Sequence, residues 1–205
     1  MAIYLACAAL LIVFTVIVVV LKRNKLKLRS QRIEQFSYPA GLTDKIIARY
    51  PHLTPEQVNY VIAGLKEYFQ ICLKAGKRNV SMPSQVVDVA WHEFILFTRH
   101  YHVFCEKTFG RYLHHTPTEA MKSQTIAEAG IKTAWALACQ RENINPTQPE
   151  RLPILFAIDT DLAITDGFRY SLNCKNTKDT YCAGHISSCG GSGCSSSCGS
   201  SCGGD

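Results

Sequence analysis

Between Asp88 and His115 the chain gathers residue types that can hold a metal or move a proton: Asp88, His92, Cys105, His114 and His115. Five of the seven histidines fall in this window. Asp88 and His92 are four residues apart, a spacing that puts both on one helical face about one turn apart. A carboxylate and an imidazole so placed can share a divalent metal, or the carboxylate can orient the imidazole through a hydrogen bond. His114 or His115, from a turn beyond the next segment, can close a site against that face, and Cys105 can add a thiolate. The window holds no His-Glu-x-x-His pair and no Cys-x-x-Cys couple, so no zinc fingerprint fixes the reading. The competing reading is structural. There Asp88 and His92 form a buried pair that sets helix packing, His100 and His102 are ordinary surface residues, and Trp91, Phe94, Phe97, Phe104 and Phe109 are core.

A second set of candidate ligands lies at the C-terminus. Cys174, Cys182, Cys189, Cys194, Cys198 and Cys202 follow one another with seven, six, four, three and three residues between them, and His185 lies among them. Thiolates on a flexible chain can wrap a soft metal such as zinc or cuprous copper, and Cys189, Cys194, Cys198 and Cys202 are the best placed to do so. The alternative is a low-complexity tail whose thiols bind nothing specific. Residues 187–205 contain only Ser, Gly, Cys and a final Asp, which leaves no apolar side chain to repay the entropy of folding.

The elements that must position the first set read as helices. Thr54-Pro55 with Gln57 is a capping signature. Val58, Val61, Ile62, Leu65, Tyr68, Phe69 and Cys72 then recur at helical spacing to about Ala75, where Gly76 suits a C-cap. A shorter helix is expected over Thr43 to Arg49. Ser81-Met82-Pro83-Ser84 opens another, with Val86, Val87, Ala90, Trp91, Phe94, Ile95 and Phe97 on its apolar side and a break near Thr98. The segment from Thr98 to Phe109 comes next, ended by Gly110. A long helix should start at Thr118 or Ser123 and reach Arg141, and Leu152 to Ile164 packs back as a short one. No alternating strand pattern of useful length occurs, so the predicted fold class is all-α, a small helical bundle over residues 42–172.

The string Val87-Asp88, Trp91-His92-Glu93-Phe94, Tyr101, Phe104-Cys105, Phe109-Gly110-Arg111 and Leu113-His114-His115-Thr116-Pro117 resembles the glycine-rich domain-containing protein-like family. Leu152-Pro153-Ile154-Leu155-Phe156-Ala157-Ile158-Asp159 and the Gly/Cys-rich end resemble its bacterial members. The resemblance covers roughly residues 42–170 and implies a helical fold without an assigned activity. Where that family often places a second histidine two residues after the Trp-His one, this chain has Phe94, so a His-x-His metal pair is not implied.

The N-terminus has a different character. Met1 to Leu21 carries no charge, and a helix of that length would be about 30 Å long, the thickness of a bilayer core. No basic residue precedes it and no small-x-small site ends it, which argues against a cleaved signal peptide. Residues 1–21 are therefore expected to form a transmembrane helix and residues 22–41 a basic linker. The net charge of +6 resides wholly in Lys22, Arg23, Lys25, Lys27, Arg29 and Arg32, with no acid before Glu34. Such a run is expected to hold anionic lipid headgroups. It would also keep the remainder of the chain on the cytoplasmic side, in a bacterial inner membrane. The ten cysteines would then be mostly reduced. Nucleic-acid binding is disfavoured, because the basic run already has a membrane explanation.

The expected function is a tethered helical binding or scaffold module with a candidate metal-binding tail (residues 173–205). The alternative is a metal-dependent hydrolase built on Asp88, His92 and His114 or His115. The sequence weighs against an enzyme, and the expected metal is zinc or another divalent or soft ion.

Overall fold

The computed structural model describes residues 1–115, 124–172, 181, 182 and 186, with backbone alone for 2, 3, 5, 6, 8, 124–127, 181 and 182. Its order is α1 (Ala2–Glu34), α2 (Gly41–Arg49), α3 (Pro55–Ala75), α4 (Gln85–Leu96), α5 (Thr98–Thr108), α6 (Gln124–Glu142), α7 (Ile154–Asp161), β1 (Tyr170–Ser171) and β2 (Tyr181–Cys182). The strands are two residues each and pair in parallel, Tyr170 with Tyr181. The all-α class therefore stands. The chain forms two compact units, Met1–Lys77 with Val86–Met121 and Arg78–Gln85 with Lys122–Asp205.

In the first unit α3 begins as its sequence requires. The Thr54 side chain accepts from the Gln57 N–H at 3.3 Å, and the Gln57 side chain accepts from the Thr54 N–H at 2.8 Å. Each satisfies a backbone donor that a helix start leaves orphaned. The other end closes at Gly76, whose φ of 68° suits a residue without Cβ. The apolar face of α3 carries Phe69, fully buried, in contact with Trp91 and Phe94 of α4 and with Phe104 of α5. Tilted and edge-on ring pairs of this kind favour one arrangement over mere apolar contact.

The C-terminal half of α1 is fastened to this core by polar contacts. Buried Gln70 of α3 donates to the Ser30 carbonyl at 3.0 Å and accepts from the Ser30 hydroxyl at 2.8 Å. Lys66 donates to the Glu34 carbonyl at 2.7 Å, and Arg32 to the Lys107 carbonyl at 2.7 Å. Ile33 is fully buried.

The second unit centres on Trp135 of α6 and Phe156 of α7, whose rings meet edge-on at 5.0 Å. The Trp135 indole N–H donates to the Pro146 carbonyl at 3.1 Å. Glu142 accepts the Ile154 N–H at 2.7 Å, capping α7, and pairs with Arg151. Asp159 is 3 % exposed and accepts from the Ser84 hydroxyl (2.7 Å), the Gln85 N–H (2.7 Å) and the Phe168 N–H (2.8 Å). Residue 167 must be glycine for this approach, since a Cβ there would stand 2.7 Å from that of Asp159.

Two expectations for the N-terminus are corrected. Among the described residues no helix is long and apolar enough to cross a membrane. The helix does not end with its apolar part: beyond Leu21 it runs directly into Lys22, Arg23 and Lys25, residues that a hydrocarbon core disfavours. The transmembrane helix and the single-pass placement in a bacterial inner membrane are thereby overturned. With them falls the orientation, outside to cytoplasm, inferred from the basic run. The basic segment 22–41, expected to be a linker, is helical over its first part: α1 continues through it to Glu34. The reason is local, because Lys, Arg, Leu and Gln between residues 22 and 34 are good helix formers with no Gly or Pro among them. Of the expected breaker cluster, Tyr38-Pro39-Ala40 separates α1 from α2 and Gly41 opens α2. The Cys/Gly/Ser tail at 187–205 lies outside the described residues.

Candidate metal centre

Asp88 and His92 sit one turn apart on α4, as their spacing requires, and His115 reaches them from the segment after α5. That segment is aimed by the end of α5. Gly110 takes φ 69° and its N–H donates to the carbonyls of Cys105 and Glu106, both at 3.1 Å, which turns the chain out of the helix. The Arg111 guanidinium then donates to the Gly76 carbonyl at 2.9 Å. Leu113 is held by Tyr101, whose hydroxyl donates to its carbonyl at 2.5 Å and accepts the Trp91 indole N–H at 3.0 Å. Tyr101 and Trp91 are both buried, so this relay joins α4, α5 and the segment through the core. Two residues further on, the His115 ring packs edge-on against Trp91 at 4.4 Å.

The three groups close a triangle. His115 Nε2 lies 2.7 Å from Asp88 Oδ1, His115 Nδ1 lies 3.1 Å from His92 Nε2, and His92 Nδ1 lies 3.5 Å from Asp88 Oδ2. One ligand atom from each residue falls within 4.8 Å of the others. Donor atoms on one tetrahedral zinc are about 3.4 Å apart, so modest side-chain rotation brings these onto a single ion. Exposure is graded around the triangle: the side chains are 8 % exposed for His115, 21 % for Asp88 and 46 % for His92. Two imidazoles and a carboxylate, with no thiolate, suit divalent ions such as zinc, and one side stays open to solvent. Without an ion, the proton between the two imidazoles fixes which ring nitrogen donates, and the Asp88 carboxylate orients His115.

Of the residues singled out from the sequence, Asp88, His92 and His115 converge. His114 is exposed and packs on Tyr112 at 4.9 Å, not on the triangle. Cys105 is fully buried behind Tyr101. Burial pushes its thiol up, with the Leu113 backbone hydrogen bond acting in the opposite sense, so it is a core residue and no thiolate ligand here. Cys189, Cys194, Cys198 and Cys202 lie outside the described residues. His102 pairs on the surface with Glu106 at 3.3 Å. The sequence reading missed Tyr101 as a positioning group. Its signal was present: a tyrosine on an apolar helix face needs a partner for its hydroxyl when buried, as does a tryptophan for its indole N–H.

The fold and this corner define an all-helical protein in which an Asp-His-His cluster is held against an aromatic core. The chain belongs to the UCP032817-like family, whose family model matches residues 28–191. No curated protein and no solved structure matches it.

Proposed function

We propose that the protein is a helical binding module that takes up one divalent transition-metal ion, such as zinc, through Asp88, His92 and His115. The observation that carries this reading is the meeting of His115 with an Asp/His pair on α4 although 23 residues separate it from His92. A purely structural pair would need no second imidazole there. Tyr101 and Trp91 act as the positioning shell, the outer layer that fixes ligand orientation in metal sites.

The test is calorimetric titration of the full chain with zinc. Changing Cys174, Cys182, Cys189, Cys194, Cys198 and Cys202 to Ser removes the tail thiols that could mask the site. One saturable equivalent is expected, with affinity lowered at least about 100-fold by His115→Ala, as befits loss of a ligand rather than of a supporting contact. Absence of saturable uptake, or uptake indifferent to both His92→Ala and His115→Ala, rejects the proposal. The tail thiols are a separate candidate site for zinc or cuprous ion, checked by whether zinc protects thiols of a 173–205 peptide from alkylation.

The open, His92 side of the triangle favours a second reading, metal-assisted hydrolysis. Three protein ligands leave a coordination position for water, and bound zinc lowers the pKa of such water to about 7. Zinc-loaded protein would then cleave activated phosphate or carboxylate esters, and His115→Ala would abolish turnover. Turnover that survives that substitution dismisses the reading.

A further inference from the structure

The two halves of α1 have opposite fates. From Arg29 to Glu34 the helix is sewn into the first unit, with Ile33 buried. From Leu10 to Leu21 large apolar side chains stand exposed on every face: Leu10 70 %, Leu11 66 %, Ile12 64 %, Phe14 64 % and Leu21 62 %. An apolar surface of this extent marks an interaction site rather than ordinary solvent-facing helix. The structure also divides the six cations next to it. The Arg29 guanidinium lies against Gly110, and Arg32 donates to the Lys107 carbonyl. Both are thus committed to the fold. Lys22, Arg23, Lys25 and Lys27 are exposed and form a collar at the end of the apolar stretch, in a chain that has no carboxylate before Glu34.

We infer that the N-terminal half of α1 docks the protein on an anionic lipid surface. Its apolar side chains enter the acyl–headgroup boundary, and Lys22, Arg23, Lys25 and Lys27 contact lipid phosphates. The charge pattern selects this occupant over a second copy of the chain. Two such arms packed in parallel would place eight like charges together, and packed antiparallel they would leave both collars without a counter-charge, since the arm holds no carboxylate; a bed of phosphates neutralises them. Surface cations contribute about 1 kcal/mol each on an anionic leaflet, and the attraction is screened by salt. This inference is independent of the metal centre.

The experiment is co-sedimentation of the full chain with vesicles of phosphatidylcholine alone and of phosphatidylcholine mixed with phosphatidylglycerol. Binding is expected to favour the anionic vesicles and to weaken as salt is raised. Changing Lys22, Arg23, Lys25 and Lys27 together to Gln should lower it by at least about 100-fold. A control pair away from the arm, Lys74→Gln with Lys77→Gln, should leave it unchanged. Phe14→Ser should weaken binding to both vesicle types without altering helicity, because that side chain is 64 % exposed. Equal binding to neutral and anionic vesicles overturns the inference. So does full binding by the four-Gln variant, or a lipid-free oligomer formed through the arm that ignores both vesicle types.

Discussion

Asp88 and Asp159 are both carboxylates on helices, yet the two units use them in opposite ways. Asp159 is almost completely buried and accepts from two backbone N–H groups and a serine hydroxyl. None of those donors can take the carboxylate's place, and none can bind a metal in the geometry shown. Asp88 keeps about a fifth of its side chain exposed and faces two imidazoles. Imidazoles can give up the shared proton and turn toward an ion. Fixed donors around a buried charge make a structural lock, whereas exchangeable partners at a solvent edge make a site.

The largest expected effect tests the lock. Asp159→Ala leaves the Gln85 and Phe168 N–H groups and the Ser84 hydroxyl without this acceptor, and each uncompensated buried donor costs about 1–3 kcal/mol. A total loss of about 3–5 kcal/mol in urea unfolding is expected. Asp88→Ala, measured without metal, should cost no more than about 1 kcal/mol, the scale of a partly exposed pair. Equal costs would erase the distinction between the two carboxylates.

Metal narrows the gap between the two carboxylates. An ion that binds the folded state alone stabilises it by about 2.7 kcal/mol at a hundredfold excess over Kd. Zinc should therefore raise the melting temperature of the tail-Ser protein. The increment should vanish in Asp88→Ala and in His115→Ala and persist in Gln85→Ala, which retains every ligand. A zinc-dependent rise that survives His115→Ala places the ion elsewhere.

Tyr101→Phe sharpens the comparison within the first unit. The substitution keeps the ring and removes the hydroxyl that links Trp91 to Leu113. The indole N–H and the Leu113 carbonyl lose their partner, at a cost of about 1–3 kcal/mol. If the relay positions His115, zinc affinity should also fall about tenfold or more, with the His115 ring resonances broadened in NMR spectra. Lost stability with unchanged affinity would restrict Tyr101 to the core.

How much of the fold and the site was legible in the sequence depends on which interactions are local. The Thr54 capping box, the Gly76 and Gly110 stops and the Asp88/His92 face are fixed within four residues of themselves and were read correctly. The choice between His114 and His115 depends on where Tyr101 anchors Leu113, a contact across 12 residues, and spacing could not make it. Asp159 was missed although its sequence offered a hint. It lies in the apolar run Leu155, Phe156, Ile158, Leu162, where an acid must either face out or find several donors. The reading of α1 failed for a different reason. Composition alone measured the apolar length from Met1 to Leu21, and the helix that forms runs on through the cations to Glu34.

The smallest effect concerns burial without donors enough to offset it, the counterpart of Asp159. Cys72 in the first unit is pushed up to about 12 and Cys139 in the second to about 11, in both cases chiefly by burial. An unfolded thiol loses its proton near pH 8.5 to 9, so above that range the folded state holds more protons than the unfolded one. The stability these thiols confer is therefore intact below about pH 8.5 and is lost as pH rises toward the folded values. Burial shifts the hydroxyls of Tyr38, Tyr68 and Tyr101 in the same direction, but unfolded tyrosine ionises near pH 10, so the interval just above pH 9 belongs mainly to the thiols. Cys72→Ala and Cys139→Ala should each flatten the fall in unfolding free energy across that interval. A slope unchanged in both buried variants would mean that burial does not hold these thiols protonated, and the contrast between a buried acid with donors enough and one with too few would fail at its second half.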